Sequence, residues 1–312
     1  MNPIAMPLVN TNNNIKQIIG CTKNECKNGG ICYKLSINGH QQDTVKCKCP
    51  LGYSGKYCEI LKTVNFKYED SYLEMETPDL EKTFNITFSI VTEAENGMLL
   101  YHGSRAAKHL AIELFKGRIR VSFDIGNKPA STLFSYVKLN DKKERRVQVL
   151  LNGQNLTLRI TDSNEQRSIS SPGKQTYLNV GYEPLYIGGV PNSIKERISK
   201  ELLHVRNATS LRGCLTHVYV NSELRDLADI EYMHKIKAGC EYMEACSRGE
   251  QCMNGGKCSN VFSLKSDYEC SCERGFTGKS CEIEMKNNNL HYRAVALSSR
   301  NYLLGKQLKT HF

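Results

Sequence analysis

The sequence predicts an all-β fold, with one β-sandwich between two small disulfide-rich modules. Three observations lead there. Fourteen cysteines fall into two groups of six, separated by a long cysteine-free stretch and one isolated pair. The region between the groups alternates apolar and polar residues over many short runs. Asn-Gly at 152–153 stands between two such runs, the strongest short-range hairpin signal.

Taken in chain order, residues 1–16 are expected to be a disordered N-terminal segment. They show no charged start followed by a long enough apolar run, so they do not read as a signal peptide. Oxidised cysteines without a secretion signal imply an incomplete gene model or a fragment of a secreted protein. Residues 17–59 form the first small module, with Cys21, Cys26, Cys32, Cys47, Cys49 and Cys58. Its middle reads CKNGGIC and its end CKCPLGYSGKYC; the second module, residues 242–282, repeats both as CMNGGKC and CSCERGFTGKSC. A zinc site wants CxxC or CxxH pairs, and neither group of six contains a CxxC, so these thiols are not metal ligands. Modules of about 40 residues bury too little apolar surface to stand alone, and each bridge would supply roughly 2–4 kcal/mol instead. Six cysteines still leave 15 pairings per module. Asn28-Gly29-Gly30 and Asn254-Gly255-Gly256 suit a tight turn, because Asn and Gly accept positive φ.

Residues 60–240 are long enough for a real core. Leu110, Ile112 and Leu114 alternate with Ala111 and Glu113; Ile119, Val121, Phe123 and Ile125 alternate with Arg120, Ser122 and Asp124. Half of each strand is therefore expected to face inward. Val147, Val149 and Leu151 run into Asn152-Gly153, and Leu156, Leu158 and Ile160 continue beyond it. Many short strands with few competing helical stretches make a β-sandwich. Residues 283–312 are expected to be a basic disordered tail.

The net charge of +10 invites a polyanion. Lys116, Arg118 and Arg120 would share one face of a strand, and Lys142, Lys143, Arg145 and Arg146 precede a hairpin strand near the sheet edge. These seven residues are the candidate polyanion-binding set; the plainer alternative is that they solvate an outward face and discourage edge pairing. Nucleic acid is not the expected partner, since no helix-turn-helix, zinc-finger or RNA-recognition signature accompanies the charge. No run of about 18 apolar residues exists to span a membrane. No HExxH, GxSxG or nucleotide-binding loop points to catalysis, and neither a catalytic residue nor a cofactor is expected. His102 and His109 are read as surface or packing residues. Asn85, Asn155 and Asn207 open Asn-x-Ser/Thr sequons and are candidate glycan acceptors, Asn207 foremost.

Both six-cysteine groups resemble epidermal-growth-factor-like (EGF-like) modules. That resemblance implies first-to-third, second-to-fourth and fifth-to-sixth pairing: Cys21–Cys32, Cys26–Cys47 and Cys49–Cys58, then Cys246–Cys258, Cys252–Cys270 and Cys272–Cys281. The module ends also resemble C-x-x-G-x-[ST]-G-x-x-C, which implies Ser54 and Thr277 as acceptors of O-linked N-acetylglucosamine. The middle region resembles a laminin-G-like domain through GMLLYHG at 97–103, LAIELFKGRIRVSFDIG at 110–126, PLYIGGVP at 184–191 and RGCLTHVYVNSELRDL at 212–227. The implied fold is a jelly-roll sandwich closed by Cys214–Cys240. Calcium suits either domain type, yet no D-x-[DN]-[EQ] run precedes Cys21 or Cys246, and Lys108-His109 stand where the laminin-G-like family often places an aspartate. Asp124 is left as one oxygen ligand, and no metal site is expected. Agrin, perlecan, crumbs, eyes-shut and Slit proteins share this order of domains. The segments CEILKTVNFKYEDSYLEM, NITFSI and GCLTHVYVNSELRDL are most similar to the C-terminal part of the Slit family. A secreted, non-enzymatic guidance ligand follows, with heparan sulfate or other acidic glycans and a cell-surface receptor or matrix glycoprotein as partners. A matrix proteoglycan of the agrin or perlecan kind, or a crumbs-like ectodomain, is the alternative.

Overall fold

The computed structural model describes residues 9–11, 14–37, 40–76, 83–104, 107–249, 251–261 and 267–285. The chain divides into two compact units, 1–244 and 245–312. In the first unit the small module is built on the hairpin Ile31–Ile37 and His40–Lys48. The expectation of disorder over 1–16 needs correction where residues are described: Val9–Thr11 and Asn14–Gly20 are strands, the latter running from Lys16 opposite Ile37 to Gly20 opposite Tyr33. The disulfide-anchored hairpin leaves an open row of backbone donors and acceptors, and residues 14–20 fill it.

The sandwich has fifteen strands among the described residues: β1 Thr63–Phe66, β2 Tyr72–Met75, β3 Thr83–Val91, β4 Gly97–Gly103, β5 His109–Phe115, β6 Arg118–Asp124, β7 Ser131–Lys138, β8 Arg145–Asn152, β9 Asn155–Ile160, β10 Glu165–Ser170, β11 Leu185–Ile187, β12 Gly213–Val220, β13 Glu223–Leu224, β14 Tyr232–His234 and β15 Ile236–Ala238. One sheet runs β7-β6-β5-β4-β11-β2-β14 and the other β10-β9-β8-β3-β12-β1-β15, with β13 against β12. Alternation fills the space between them. Phe84, Ile86 and Phe88 of β3 stand opposite Leu151, Val149 and Val147 of β8, and all six are core residues. A register shift between Met98 and Leu100 lets both Leu99 and Leu100 enter that core. The Asn-Gly hairpin closes on Asn152 opposite Asn155, with Gly153 at φ 58 opening the two-residue loop.

The outer face of the first sheet departs from the expected half-exposed pattern. Residues His109–Glu113 are buried on both faces, because Val190, Ile198, Leu202 and Val205 lie across Met98, Tyr101, Ala111 and Tyr186. Ile198 belongs to helix α1, Asn192–Glu201. At the lateral edge, the N–H groups of Tyr136 and Val137 on β7 donate to Glu165 Oε1 and Oε2 at 2.6 and 3.1 Å, and Arg167 Nη1 donates to the Phe134 carbonyl at 2.7 Å. Side chains of the second sheet thus seal the open edge of the first.

The first small module joins the sandwich through Gly52. Its carbonyl accepts from the N–H groups of Lys62 and Thr63 at 2.9 and 3.1 Å, and a Cβ there would lie 2.4 Å from the Gly239 nitrogen. In the second unit, Lys257–Asn260 pairs with Tyr268–Ser271, and Phe276–Thr277 with Ile283–Glu284. Ile283 and Glu284, expected to begin a disordered tail, therefore close the module; residues 286–312 lie outside the described residues. Seven disulfides join Cys21–Cys32, Cys26–Cys47, Cys49–Cys58, Cys214–Cys240, Cys246–Cys258, Cys252–Cys270 and Cys272–Cys281, and no cysteine is free.

Candidate functional site

The seven basic residues do not form the stripe that alternation suggests. Lys116 lies in the β5–β6 turn at φ 51, followed by Gly117 at φ 77, and the turn closes on Phe115 opposite Arg118. Positive φ at both loop residues is the I′ hairpin turn. Arg118 opens β6, half-buried, with Nε donating to the Tyr136 carbonyl at 3.1 Å. Arg120 is 4% exposed and pairs with Glu113, which is fully buried. The cluster at 142–146 sits at the start of β8, which has neighbours on both sides, so it is not at a lateral sheet edge. Lys142 pairs with Glu93 at 2.6 Å and Arg145 with Asp141, while Lys143 and Arg146 are exposed.

Backbone hydrogen bonds bring most of these charges to one end of the sandwich. Gly117 N donates to the Glu95 carbonyl at 2.8 Å, Leu139 N to the Gly117 carbonyl at 2.7 Å, and Lys142 N to the Thr92 carbonyl at 3.0 Å. A rim follows in which Lys116, Arg118, Lys142 and Lys143 are joined by Lys138, the register partner of Arg118. Sequence reasoning passed over Lys138 because it lies on a different strand.

Under the α1 cover lies a buried polar layer. Glu113 Oε2 accepts from Arg120 Nη1, and its Oε1 accepts from the backbone N–H groups of Arg206 and Asn207 at 2.8 and 2.6 Å. Burial pushes the Glu113 carboxyl up, and Arg120 and the two N–H groups pull it down. Of the two readings, surface or packing, His102 and His109 take the second: both are buried. His102 Nδ1 lies 3.2 Å from the Pro184 carbonyl, its Nε2 has no partner, and desolvation lowers its pKa to about 4.

A laminin G domain model matches residues 90–226, and an EGF-like domain model matches residues 21–57 and 246–280. The chain carries an EGF-like, laminin G, EGF-like architecture. The human cadherin EGF LAG seven-pass G-type receptor 1 is 26% identical over 305 residues, covering 86% of this chain and 10% of the receptor. The mouse cadherin EGF LAG seven-pass G-type receptor 2 is 27% identical over 302 residues, with the same coverage of 86% and 10%. The chain spans about a tenth of the length of these curated relatives. Among solved structures, the LG4-5 domains of the mouse laminin alpha1 chain superpose with a TM-score of 0.51 at 21% identity, covering 62% of this chain and 48% of that one. The LG1-3 region of the laminin alpha2 chain gives 0.50 at 19% identity, covering 67% and 40%. These share the fold. These curated relatives are named as receptors and not as Slit proteins.

In both EGF-like modules a glutamate that sequence reasoning passed over locks the end. Glu59 Oε2 accepts from Tyr57 N, and Glu282 Oε2 from Ser280 N, both at 2.7 Å. The repeat Cys-Glu-Ile at 58–60 and 281–283 was the available signal. Asn28 and Asn254 repeat a second contact, each Nδ2 donating at 2.8 Å to the carbonyl of the module's last cysteine. Of the glycan candidates, Thr277 and Asn155 are exposed and Ser54, Asn85 and Asn207 half-buried. Asn85 Oδ1 is taken by Gln148 Nε2 at 3.2 Å, and Asn207 Oδ1 accepts from Thr209 Oγ1 at 2.6 Å. Asp124 accepts from Gly126 N at 2.7 Å, and no group of three or more metal-ligating side chains gathers among the described residues.

Proposed function

We propose that this chain is a non-enzymatic, extracellular binding segment whose laminin G domain engages acidic glycans of the heparan sulfate type through its basic rim. The observation that carries this is the gathering of Lys116, Arg118, Lys138, Lys142 and Lys143 from two separate chain segments, 116–118 and 138–143, at one end of the sandwich. Exposed ammonium groups there, with the half-buried Arg118 guanidinium beside them, meet sulfates without desolvating a fully buried charge. On this reading Arg120 belongs to the fold and not to the glycan site. The domain limits proposed are 17–59, 60–240 and 242–282, and Asn207, with Thr277, is the first modification site to examine.

Heparin affinity chromatography tests the reading. Replacing Lys116, Arg118, Lys142 and Lys143 together with Ser should lower the eluting salt markedly, since such attraction is screened beyond about 10 Å at 0.1 M salt. Unchanged elution with an unchanged melting temperature would refute it. The parent protein is a second question. The motifs resemble Slit, a secreted ligand, whereas the curated relatives are named as cadherin-containing seven-pass receptors. We favour an extracellular segment of a longer protein. Full-length transcript sequencing separates the two: leucine-rich repeats mean Slit, and cadherin repeats with seven apolar spans mean a receptor.

A further inference from the structure

A row of side chains crosses the outer face of the first sheet near its β14 edge. Glu74 on β2 stands directly opposite Tyr186 on β11 and Tyr232 on β14. Tyr72 lies two residues before it on the same face, with its ring centroid 5.8 Å from that of Tyr232 and 6.2 Å from that of Tyr186. Directly opposed residues hold their Cβ atoms about 4.5–5.5 Å apart, so the carboxylate rises among three phenol rings.

Glu74 makes no hydrogen bond or ion pair among the described residues, and it is half-buried. The His234 ring stacks on Tyr72 and Tyr232, with centroids 5.4 and 6.1 Å away, and the basic side chains nearby make contacts other than to Glu74. His234 Nε2 and Lys235 Nζ both reach Asp70 Oδ2, at 3.2 and 2.6 Å; Lys195 Nζ donates to the Glu69 carbonyl at 2.8 Å, and Arg197 Nη2 to the Gly103 carbonyl at 3.3 Å. Glu231 adds like charge, and burial together with that charge holds the Glu74 carboxyl above its ordinary range. Glu183 and Arg197 bear on Tyr186 with opposite signs. The patch is therefore aromatic, with a carboxylate at its centre that has no ion-pair partner among the described residues, in a protein whose overall charge is +10.

A partly desolvated carboxylate beside phenol rings favours a weakly hydrated organic cation, which neutralises the charge and lays its body on an exposed ring. Guanidinium fits better than ammonium: it is planar, stacks on aromatic rings and gives up less hydration. We propose that Tyr72, Glu74, Tyr186 and Tyr232 form a cation-binding site on the laminin G domain that takes an arginine side chain presented by a partner polypeptide. This site lies at the opposite lateral side of the sheet from β7 and centres on a carboxylate, where the rim presents cations. It stands whether or not the rim binds glycans.

The test uses the full, oxidised chain labelled with ¹³C-tyrosine. Titration with N-acetylarginine amide should move the ring signals of Tyr72, Tyr186 and Tyr232 saturably, and the uncharged citrulline analogue should not. Glu74→Gln should weaken the arginine probe at least tenfold while heparin elution stays unchanged. If Glu74→Gln does not fold, Tyr232→Ala at the exposed edge replaces it and should weaken binding likewise. Equal shifts with citrulline, shifts that miss these three rings, or undiminished binding by the variant that folds would each overturn the proposal.

Discussion

Arg120 and Arg118 sit two residues apart on one strand, and replacing each alone should give very different results. Arg120 is buried against Glu113, whose side chain is fully inaccessible. Arg120→Met removes one of the three hydrogen bonds to that carboxylate and leaves it buried with only the Arg206 and Asn207 N–H groups. Breaking a buried pair in this way costs about 3–5 kcal/mol. The two remaining donors put Arg120→Met at the lower end, roughly 3 kcal/mol, or a fall of about 6–12 °C for a domain of this size. Arg118→Ser, at a half-exposed position, should cost no more than about 1 kcal/mol. The double variant Glu113→Gln with Arg120→Met should be less destabilised than the sum of the two single changes. The sign of the pH dependence follows from the raised Glu113 pKa. A carboxyl whose folded pKa lies above its unfolded value stabilises the fold most below the unfolded pKa and loses that contribution as pH rises through the folded one. Removing Arg120 raises the folded pKa further, so the penalty should shrink as pH falls and Glu113 is protonated. Urea unfolding at several pH values measures all of this. Equal losses for Arg118→Ser and Arg120→Met at neutral pH would refute the reasoning.

Two further outcomes are expected. Gly52→Ala and Gly275→Ala both force a side chain onto positive φ, at 99 and 98, a strain of about 1–2 kcal/mol; Gly52→Ala also drives a Cβ into the Gly239 backbone, whereas nothing lies within 4 Å of Gly275. Only Gly52→Ala should accelerate proteolytic cleavage between the first module and the sandwich, and equal cleavage in both variants would count against the docking. His102, neutral in the fold with a pKa lowered to about 4, contributes stability above pH 6.5 that is lost as pH falls through that window. The loss is about 3 kcal/mol at 1.36 kcal/mol per unit; His102→Gln should flatten this part of the stability profile measured by urea titration, and an unaltered slope would exclude His102 as its source.

How far the fold was legible depends on the range of each signal. Alternation located the strands around Leu110–Leu114 and Ile119–Ile125, and Asn152-Gly153 located a hairpin, because both patterns are complete within a few residues. Period-two reading also assigned every second residue to solvent, and there it failed for Glu113, Arg120 and Ser122, all buried. Cover over that face comes from residues 190–207, far along the chain. A local signal for that cover existed in Ile194, Ile198 and Leu202, which follow Pro191 at helical spacing. Glu74 gave no signal at all, since Tyr186 and Tyr232 come from strands that meet β2 only in the sheet.

Cysteine spacing, turn glycines and alternation are properties of neighbours in the chain, and they suffice to specify two small disulfide modules around a β-sandwich. Which charge becomes structural and which stays available to a partner depends on what packs over it. Gly52 and Gly275 occupy the same place in similar ten-residue sequences at nearly the same φ, yet only at Gly52 would an added Cβ run into another backbone. Positive φ is demanded by the local turn and can be read from it. Contact with Gly239, like the burial of Arg120 beside the exposed Lys116, exists only once distant segments are folded against each other.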